Sequence, residues 1–399
     1  MGEKIVIRGN EATAVAAKLC RPNVIPAYPI TPSTLFPEKM SEFVADGELD
    51  AEFVPVESEH SAMSAAIGAS AAGARVCTAT ASQGLELMHE MLFIAAGMRL
   101  PIVMAIGNRA LSAPINIWCD HADTIAARDT GWMQFYAENN QEGMDLMINA
   151  FRIAEDKRVL TPGMVGIDAF VLTHTFEPVD VPAQSEVDDF LPKYNPEHVY
   201  LDPARPITIG SFGTPQYYME FKYSQELGIQ ASSPVIDEVF ADFEKRFGRK
   251  YAKITPFMAD DADVLILAMG SMNGTARNAV KRLREEGKKV GVLKLTVYRP
   301  FPEEELKKLA GNAKVLAVLD RDISHGYGGA VYADASGVFV NEEKKPMLLN
   351  FIIGLGGRDV VIDDFRNIYD KCMAAVEKGG PEQRVQWVNV DFDACKGGA

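Results

Sequence analysis

The sequence has few cysteines, and they are not spaced to hold a metal cluster or a disulfide framework. Five cysteines occur among 399 residues, and no two of them form a CxxC pair. An odd number of scattered thiols argues against a disulfide scaffold, and against a zinc or iron–sulfur site built by this chain alone. We therefore expect no metal ligands here, and expect the cysteines in apolar stretches to act as small buried residues.

Excess positive charge is also absent. Acidic residues number 55 against 40 basic ones, which gives a net charge of −15. This balance makes nucleic acid and anionic membranes poor partners. No apolar run approaches the ~18–20 residues of a membrane span. The first residues, MGEKIVIRGNEA, lack the apolar core of a signal peptide. We therefore expect a cytoplasmic protein.

A standard glycine-rich nucleotide loop is missing as well. Neither GxGxxG nor GxxxxGK followed by Ser or Thr occurs in the sequence. Gly354–Gly357 follows a predicted strand, but it opens no clear helix at the required spacing. The pattern favours a tight turn at this position.

What the sequence does contain is an alternation of strand and helix patterns in two regions. A chain of this length exceeds one compact core, so two domains are expected. The alternation predicts an α/β fold with mostly parallel sheets covered by helices. We predict a first domain over 1–240, in which 175–240 is a proline-rich, irregular wrapping segment. A linker over 241–258 and a second domain over 259–399 complete the prediction.

Four polar loops follow predicted strands of the first domain. They are Tyr28–Ser33, Glu57–His60, Ala81–Gly84 and Asn108–Leu111. Ligands of open α/β sheets bind beyond the carboxyl ends of the strands. We therefore expect these loops to converge on one edge of a sheet.

Three side chains in these loops suit a binding site, although each has a structural alternative. Two prolines would hold the hydroxyl of Thr31 in place, or simply form a turn. Glu59 begins a helix of small residues, where a carboxylate also caps the helix end. Arg109 offers a planar guanidinium group that could bind the carboxylate of a ligand, or form a salt bridge with a neighbouring acidic side chain. Asp120–Asp123 places a histidine between two acids, and a hydrogen-bonded loop is favoured there over a metal site.

Longer stretches resemble a known family. They include YPITPST at 28–34, VESEHSAMSAAIGASAAGAR at 56–75, the stretch from TATASQG to PINIW at 78–118, and TVYRPFP at 296–302. Together they resemble the alpha subunit of multi-subunit pyruvate:ferredoxin oxidoreductases (pyruvate synthases), within the 2-oxoacid:ferredoxin oxidoreductase family. The resemblance covers nearly the whole chain.

This resemblance implies a fold and a set of site residues. The first domain resembles the pyrimidine-binding domain of thiamine diphosphate enzymes, and the second resembles the carboxy-terminal domain of transketolases. The implied catalytic residues are a glutamate that hydrogen-bonds N1′ of the cofactor's aminopyrimidine, and two groups that hold the substrate's keto and carboxylate groups; they match Glu59, Thr31 and Arg109. The remaining implied cofactor contacts are Ile30, Ser82, Gln83 and Gly84.

The resemblance also implies that the active site is shared with another subunit. Thiamine enzymes bind the diphosphate through Mg²⁺ and a GDG motif, which this sequence lacks. In the similar complexes a beta subunit carries thiamine diphosphate, Mg²⁺ and a proximal 4Fe–4S cluster. A gamma subunit and a ferredoxin-like delta subunit with further clusters complete the assembly. External ferredoxin accepts the electrons, and coenzyme A accepts the acyl group.

The expected reaction is the reversible, coenzyme A-dependent oxidative decarboxylation of pyruvate to acetyl-CoA and CO₂. Thr31 is small and neutral, and its loop contains no arginine for a second carboxylate, which favours pyruvate. The alternatives are another 2-oxoacid (2-oxobutyrate, 2-oxoisovalerate, 2-oxoglutarate or oxalate), a thiamine-dependent transferase without redox centres, and a non-catalytic scaffold subunit.

Overall fold

A computed structural model describes residues 2–196 and 200–396. The chain divides into two compact units. The first contains the chain up to Lys253 together with Thr296–Pro302, and the second contains Ile254–Leu295 and the chain from Glu303 onward. Both units are built on mostly parallel sheets with helices, so the predicted α/β class is confirmed. Within the described residues, no helix combines the length and the apolarity needed to cross a bilayer.

The strands follow the chain in this order: β1 (Glu3–Arg8), β2 (Val24–Ala27), β3 (Glu52–Pro55), β4 (Cys77–Thr80), β5 (Val103–Asn108), β6 (Met133–Tyr136), β7 (Gly163–Asp168), β8 (Phe176–Val181), β9 (Ile254–Phe257), β10 (Val264–Ala268), β11 (Val290–Leu295), β12 (Val297–Arg299), β13 (Val315–Asp320), β14 (Met347–Ile352) and β15 (Val385–Trp387).

The helices are α1 (Gly9–Leu19), α2 (Leu35–Ala45), α3 (Glu59–Ala71), α4 (Ser82–Leu87), α5 (His89–Gly97), α6 (Ala122–Ala126), α7 (Asn140–Ala154), α8 (Gln184–Phe190), α9 (Tyr218–Phe247), α10 (Met272–Glu285), α11 (Glu303–Ala310), α12 (Ala330–Phe339), α13 (Ile362–Lys378) and α14 (Phe392–Cys395). A short 3₁₀ turn spans Leu355–Gly357.

The main sheet of the first unit has the strand order β12-β6-β7-β5-β4, and only β12 runs antiparallel to its neighbour. Strand β2 pairs in parallel with β3, and it also meets the segment before β4 through a parallel bridge between Val24 and Val76. Strands β3, β2, β4 and β5 therefore run side by side in one direction. The loops that follow them leave the sheet at the same edge, where ligands of such sheets bind.

Burial explains why these strands form. Strands β4, β5 and β7 are buried at every position, as expected for parallel strands covered on both faces. Helix α7 packs on one side, with nearly all of its residues buried. On the other side, Ala62, Met63 and Ala66 of α3 join Leu92 and Ala95 of α5 in a second apolar cluster. The small side chains of α3 let these helices approach closely.

The second unit contains one sheet with the order β15-β14-β13-β10-β11-β9. Its strands are parallel except β9, which pairs antiparallel with β11. Helices α10 and α13 contribute Ala276, Val280, Phe365 and Ile368 to its apolar core. Gly354 has a φ of 72° and immediately precedes the 3₁₀ turn Leu355–Gly357.

The predicted irregular segment 175–240 and linker 241–258 were wrong in part. Residues 197–199 lie outside the described part of the chain. The rest contains β8, α8 and the 30-residue helix α9, and Ile254 begins a strand of the second unit. The first ten residues of α9 are exposed on most sides, so they carry no apolar stripe, and Pro234 lies inside the helix. Both features hide a helix from periodicity.

The second unit is also not one continuous stretch of chain. Strand β12 pairs with β6 and belongs to the first unit, so the chain leaves the second unit after Leu295 and returns at Glu303. Strand β12 has only three residues, which is too short to show an alternation of apolar and polar side chains. The predicted second domain over 259–399 was therefore wrong in being continuous, because Thr296–Pro302 belongs to the first unit.

Candidate active site

Glu59 is the first residue of α3, four residues after the end of β3. Ser58 caps this helix, because its side chain accepts a hydrogen bond from the Ser61 backbone N–H at 3.2 Å. The Glu59 residue is only 6% exposed. Among the described residues, its side chain makes no hydrogen bond or ion pair. Burying a carboxylate without a partner is costly, so this position is a strong candidate for ligand binding.

Gly84 and Thr80 enclose the space beside Glu59. A Cβ atom at position 84 would lie 2.6 Å from Glu59 Oε1 and 2.4 Å from Thr80 Oγ1. The Thr80 hydroxyl is buried, and it has no hydrogen-bond partner within the described part of the chain. A carboxylate and a hydroxyl with unused hydrogen-bonding capacity thus meet where glycine leaves the backbone accessible.

Arg109 follows β5 directly and is 6% exposed. Its Nη1 donates to the Thr31 carbonyl at 2.8 Å, and its Nε donates to the Asn116 carbonyl at 2.9 Å. No carboxylate of the described residues lies within ion-pair distance of the guanidinium, and its Nη2 group makes no hydrogen bond to them. Burial lowers the pKa of Arg109, and the nearby Asp123 charge raises it in part. An arginine stays cationic under such conditions, so spare donors remain for an anion.

Ser33 holds the Thr31 loop against the neighbouring strands. Its Oγ donates to the Thr80 carbonyl at 2.8 Å and accepts from the Gly107 N–H at 3.2 Å. A Cβ at position 107 would come within 2.7 Å of that Oγ, so glycine is required for this approach. Thr31 itself is exposed, and its carbonyl faces Arg109. Three strand ends are tied together in this way.

Ser82 begins α4 with a positive φ of 48° and is fully buried. Its Oγ lies 2.5 Å from the Ala110 carbonyl and 2.7 Å from Gln83 Oε1. Its backbone N–H donates to Asp123 Oδ2 at 3.0 Å. The Arg109 N–H donates to the same oxygen, also at 3.0 Å. The loops after β4 and β5 therefore share one carboxylate.

The structure brings most of the predicted site residues into one connected group. Contacts link Glu59 to Gly84, and Asp123 links Ser82 to Arg109, which binds the Thr31 carbonyl. Of the remaining two predicted contacts, Gln83 touches Ser82, and Ile30 lies half-buried one residue before Thr31. Their roles with cofactor and substrate stay predictions.

Sequence reasoning missed Asp123 as a member of this group. It is fully buried, and burial raises its pKa to about 6. Besides Ser82 and Arg109, it accepts from Asn108 Nδ2 at 3.0 Å and from the Thr124 N–H at 2.7 Å. The sequence shows the polar loop Asp120–Asp123, but it does not show that Asp123 bonds to residues of the loops after β4 and β5. This part of the Asp120–Asp123 loop is hydrogen-bonded, as was favoured.

The same loop also forms a compact group that had not been predicted. Cys119, His121 and Asp168 are buried, and each places one potential ligand atom within 4.8 Å of the others. His121 Nε2 lies 2.8 Å from Asp168 Oδ1. This hydrogen bond explains the approach of His121 and Asp168 without an ion.

Comparison with known proteins gives the family. Residues 15–241 match the family described as pyruvate flavodoxin/ferredoxin oxidoreductase, thiamine diP-bdg, and residues 262–365 match pyruvate:ferredoxin oxidoreductase core domain II. A protein named pyruvate synthase subunit PorA from Pyrococcus furiosus is 59% identical over 98% of this chain and 99% of its own length. The chain therefore belongs to the pyruvate:ferredoxin oxidoreductase family.

Two further similar proteins are named for other 2-oxoacids. A ketoisovalerate oxidoreductase subunit VorA from Pyrococcus abyssi is 47% identical, over 97% of this chain and 98% of its own. The solved 2-oxoglutarate:ferredoxin oxidoreductase from Magnetococcus marinus, with 2-oxoglutarate, coenzyme A and succinyl-CoA bound, has a TM-score of 0.72 at 19% identity. It aligns over 93% of this chain and 66% of that longer chain, and it shows a shared fold.

Proposed function

We propose that this chain supplies the pyrimidine-binding half of a thiamine diphosphate site in a pyruvate:ferredoxin oxidoreductase. The complete complex would convert pyruvate and coenzyme A reversibly to acetyl-CoA and CO₂ and pass electrons to ferredoxin. The observation that carries this proposal is the buried carboxylate of Glu59, which lies beside Gly84 and has no partner among the described residues. Loop contacts through Ser82 and Asp123 connect it to Arg109, whose Nη2 also makes no hydrogen bond within the described part of the chain. The names of the close relatives support pyruvate as the substrate.

The residues around Glu59 fit an aminopyrimidine ring. Glu59 would hydrogen-bond the ring nitrogen N1′, and the Thr80 hydroxyl, which lacks a partner in the described chain, offers a second polar contact. The missing side chain of Gly84 keeps this space open. When bound, the thiamine group supplies the electron sink that decarboxylation of a 2-oxoacid requires. The chain would contribute a largely buried wall, and a hydrogen bond from Glu59 to the ring would be stronger there than in water.

Arg109 and Thr31 would hold the substrate. A guanidinium binds a carboxylate through two parallel N–H groups, which fixes orientation as well as charge. Arg109 already uses Nε and Nη1 on backbone carbonyls, so its position is set before substrate arrives. Orientation of this kind lowers the entropic part of the barrier. Thr31, exposed next to Arg109, would contact the keto group.

Partner subunits would complete the site. We infer that a beta subunit carries the diphosphate-binding part, Mg²⁺ and a proximal 4Fe–4S cluster, and that gamma and ferredoxin-like delta subunits join it. Two sequence features support this inference, since the chain has no GDG motif and no CxxC pair. Iron, magnesium and thiamine analysis of the complex purified from its native host tests it. A colourless complex without iron would favour a transferase without redox centres.

Replacement of Glu59 tests the central role. In the complete complex, Glu59→Gln and Glu59→Ala should each lower turnover by at least ~100-fold, the usual scale for a group that assists proton transfer. The matched control is Glu57→Gln, since Glu57 lies two residues earlier and is exposed. Normal turnover in both Glu59 variants would instead support a scaffold subunit.

The substrate is tested by competition among 2-oxoacids. Steady-state rates on pyruvate, 2-oxobutyrate, 2-oxoisovalerate and 2-oxoglutarate should give the highest kcat/KM for pyruvate. The 47% identical VorA protein makes 2-oxoisovalerate the alternative of most interest. A higher kcat/KM for any of the other three acids would refute the pyruvate assignment and leave the thiamine chemistry in place.

A further inference from the structure

Asp123 lies between the two loops that carry the two parts of the proposed site. Its Oδ2 accepts from the backbone N–H groups of Ser82 and Arg109, which belong to the loops after β4 and β5. Its Oδ1 accepts from Asn108 Nδ2 and from the Thr124 N–H. All four donor distances lie between 2.7 and 3.0 Å.

An ionised carboxylate suits this position for a chemical reason. It has two oxygens and about four acceptor sites, so it can satisfy four donors at once. An amide of the same size accepts at only one atom, and its NH₂ group would face two N–H donors. Asp123 is fully buried, so water cannot replace a lost bond. The arrangement therefore depends on an acid at this position.

We propose that Asp123 is a positioning residue for both parts of the active site. By holding the backbone of Arg109, it places the guanidinium beside the Thr31 carbonyl, where a substrate carboxylate would bind. By holding the backbone of Ser82, it fixes the start of α4, which sets Gly84 against Glu59. Asp123 itself touches neither substrate nor cofactor in this scheme. The inference rests on the proposed function.

The first test replaces Asp123 in the complete complex. Asp123→Ala removes all four acceptor contacts, and Asp123→Asn removes two while keeping the shape. We expect the KM for pyruvate to rise about tenfold or more in Asp123→Ala, with a smaller rise in Asp123→Asn, because a displaced Arg109 binds the carboxylate in poorer geometry. Asp129→Asn is the matched control, since Asp129 lies on the surface with 76% of its side chain exposed.

A double variant separates positioning from general loss of stability. If Asp123 acts through Arg109, then Asp123→Asn should add little to the KM of an Arg109→Ala complex. If Asp123 only stabilises the fold, the two effects should multiply. Subunit assembly, measured by size-exclusion chromatography, shows that each complex is intact. If Asp123→Ala does not assemble, the isosteric Asp123→Asn complex decides alone.

Two outcomes would overturn the proposal, and they are distinguishable. A normal KM in an assembled Asp123→Asn complex, alongside a raised KM in Arg109→Ala, defeats the positioning role and leaves the proposed function standing. If the effects of Asp123→Asn and Arg109→Ala on KM multiply fully in the double variant, the positioning role is likewise defeated and the proposed function stands. A normal KM in Arg109→Ala contradicts the proposed role of Arg109, and the positioning role then fails with it.

Discussion

The carboxylate of Glu59 packs directly against the backbone of Gly84. A side chain at position 84 would put its first carbon 2.6 Å from Glu59 Oε1 and 2.9 Å from Glu59 Cγ. Glu59 begins the helix after β3, and Gly84 lies in the helix after β4, so the contact joins two strand ends. A buried acid and a residue without a side chain together define one polar niche.

This contact makes Gly84→Ala a sensitive test of the niche. The added methyl group must displace Glu59 or Thr80, and overpacking of this kind costs about 1–3 kcal/mol. We expect kcat/KM of the complex to fall between about tenfold and 100-fold. Gly68→Ala is the control, because Gly68 lies on α3 with open space around it. That variant should keep full activity, and an equal loss in both variants would contradict the niche.

Arg109→Lys tests whether a planar fork is needed, or only a positive charge. Lysine cannot reach both the Thr31 and Asn116 carbonyls and still present two parallel donors. We expect the KM for pyruvate to rise more than kcat falls. Arg128→Lys, on the partly exposed Arg128, serves as the control. Unchanged steady-state constants in Arg109→Lys would show that charge alone suffices.

The pH dependence of stability tests the burial of Asp123. Its folded pKa, about 6, lies above the ordinary value of an aspartate, so the folded chain binds more protons than the unfolded chain between these values. Stability from this group is therefore present at low pH and is lost as pH rises toward 6. From pH 5 to pH 7 the wild-type unfolding free energy should fall by about 1 kcal/mol relative to Asp123→Asn. Urea denaturation at both pH values measures this difference. If the unfolding free energies of the wild type and Asp123→Asn change equally with pH, the raised pKa of Asp123 is contradicted.

A buried ion pair supplies a prediction on stability alone. Arg75 Nε and Nη2 bind both oxygens of Glu155 at 2.6 and 2.7 Å, and both side chains are at least nine-tenths buried. Arg75→Met leaves Glu155 buried without its partner, which should cost about 3–5 kcal/mol. Adding Glu155→Leu should recover much of this loss.

Fluorescence of the buried Trp132, followed during urea denaturation, measures both Arg75 variants. The control is Lys378→Met, which removes an exposed ion pair with Glu382 and should change stability by less than about 1 kcal/mol. A double variant as unstable as Arg75→Met would show that packing, and not the unpaired charge, causes the loss.

The α/β class could be predicted because its signals are local. Apolar runs such as Val103–Ile106 and small-residue helices such as α3 show their burial in their own sequence. The four polar loops could be placed at one sheet edge, since parallel strands end together. Helix α9 could not be recognised in its first turns, because exposed residues carry no periodic pattern.

The sequence by itself determined the α/β architecture, the family, and the types of residue at Glu59, Arg109 and Gly84. The tertiary structure alone decided which distant residues meet. Asp123 binds Ser82 from 41 positions away and Arg109 from 14, and β12 joins the sheet of the first unit although the chain on either side of Thr296–Pro302 belongs to the second unit. The physical reason is that periodicity reports how each residue faces water, whereas a hydrogen bond between loops depends on where the whole chain has folded.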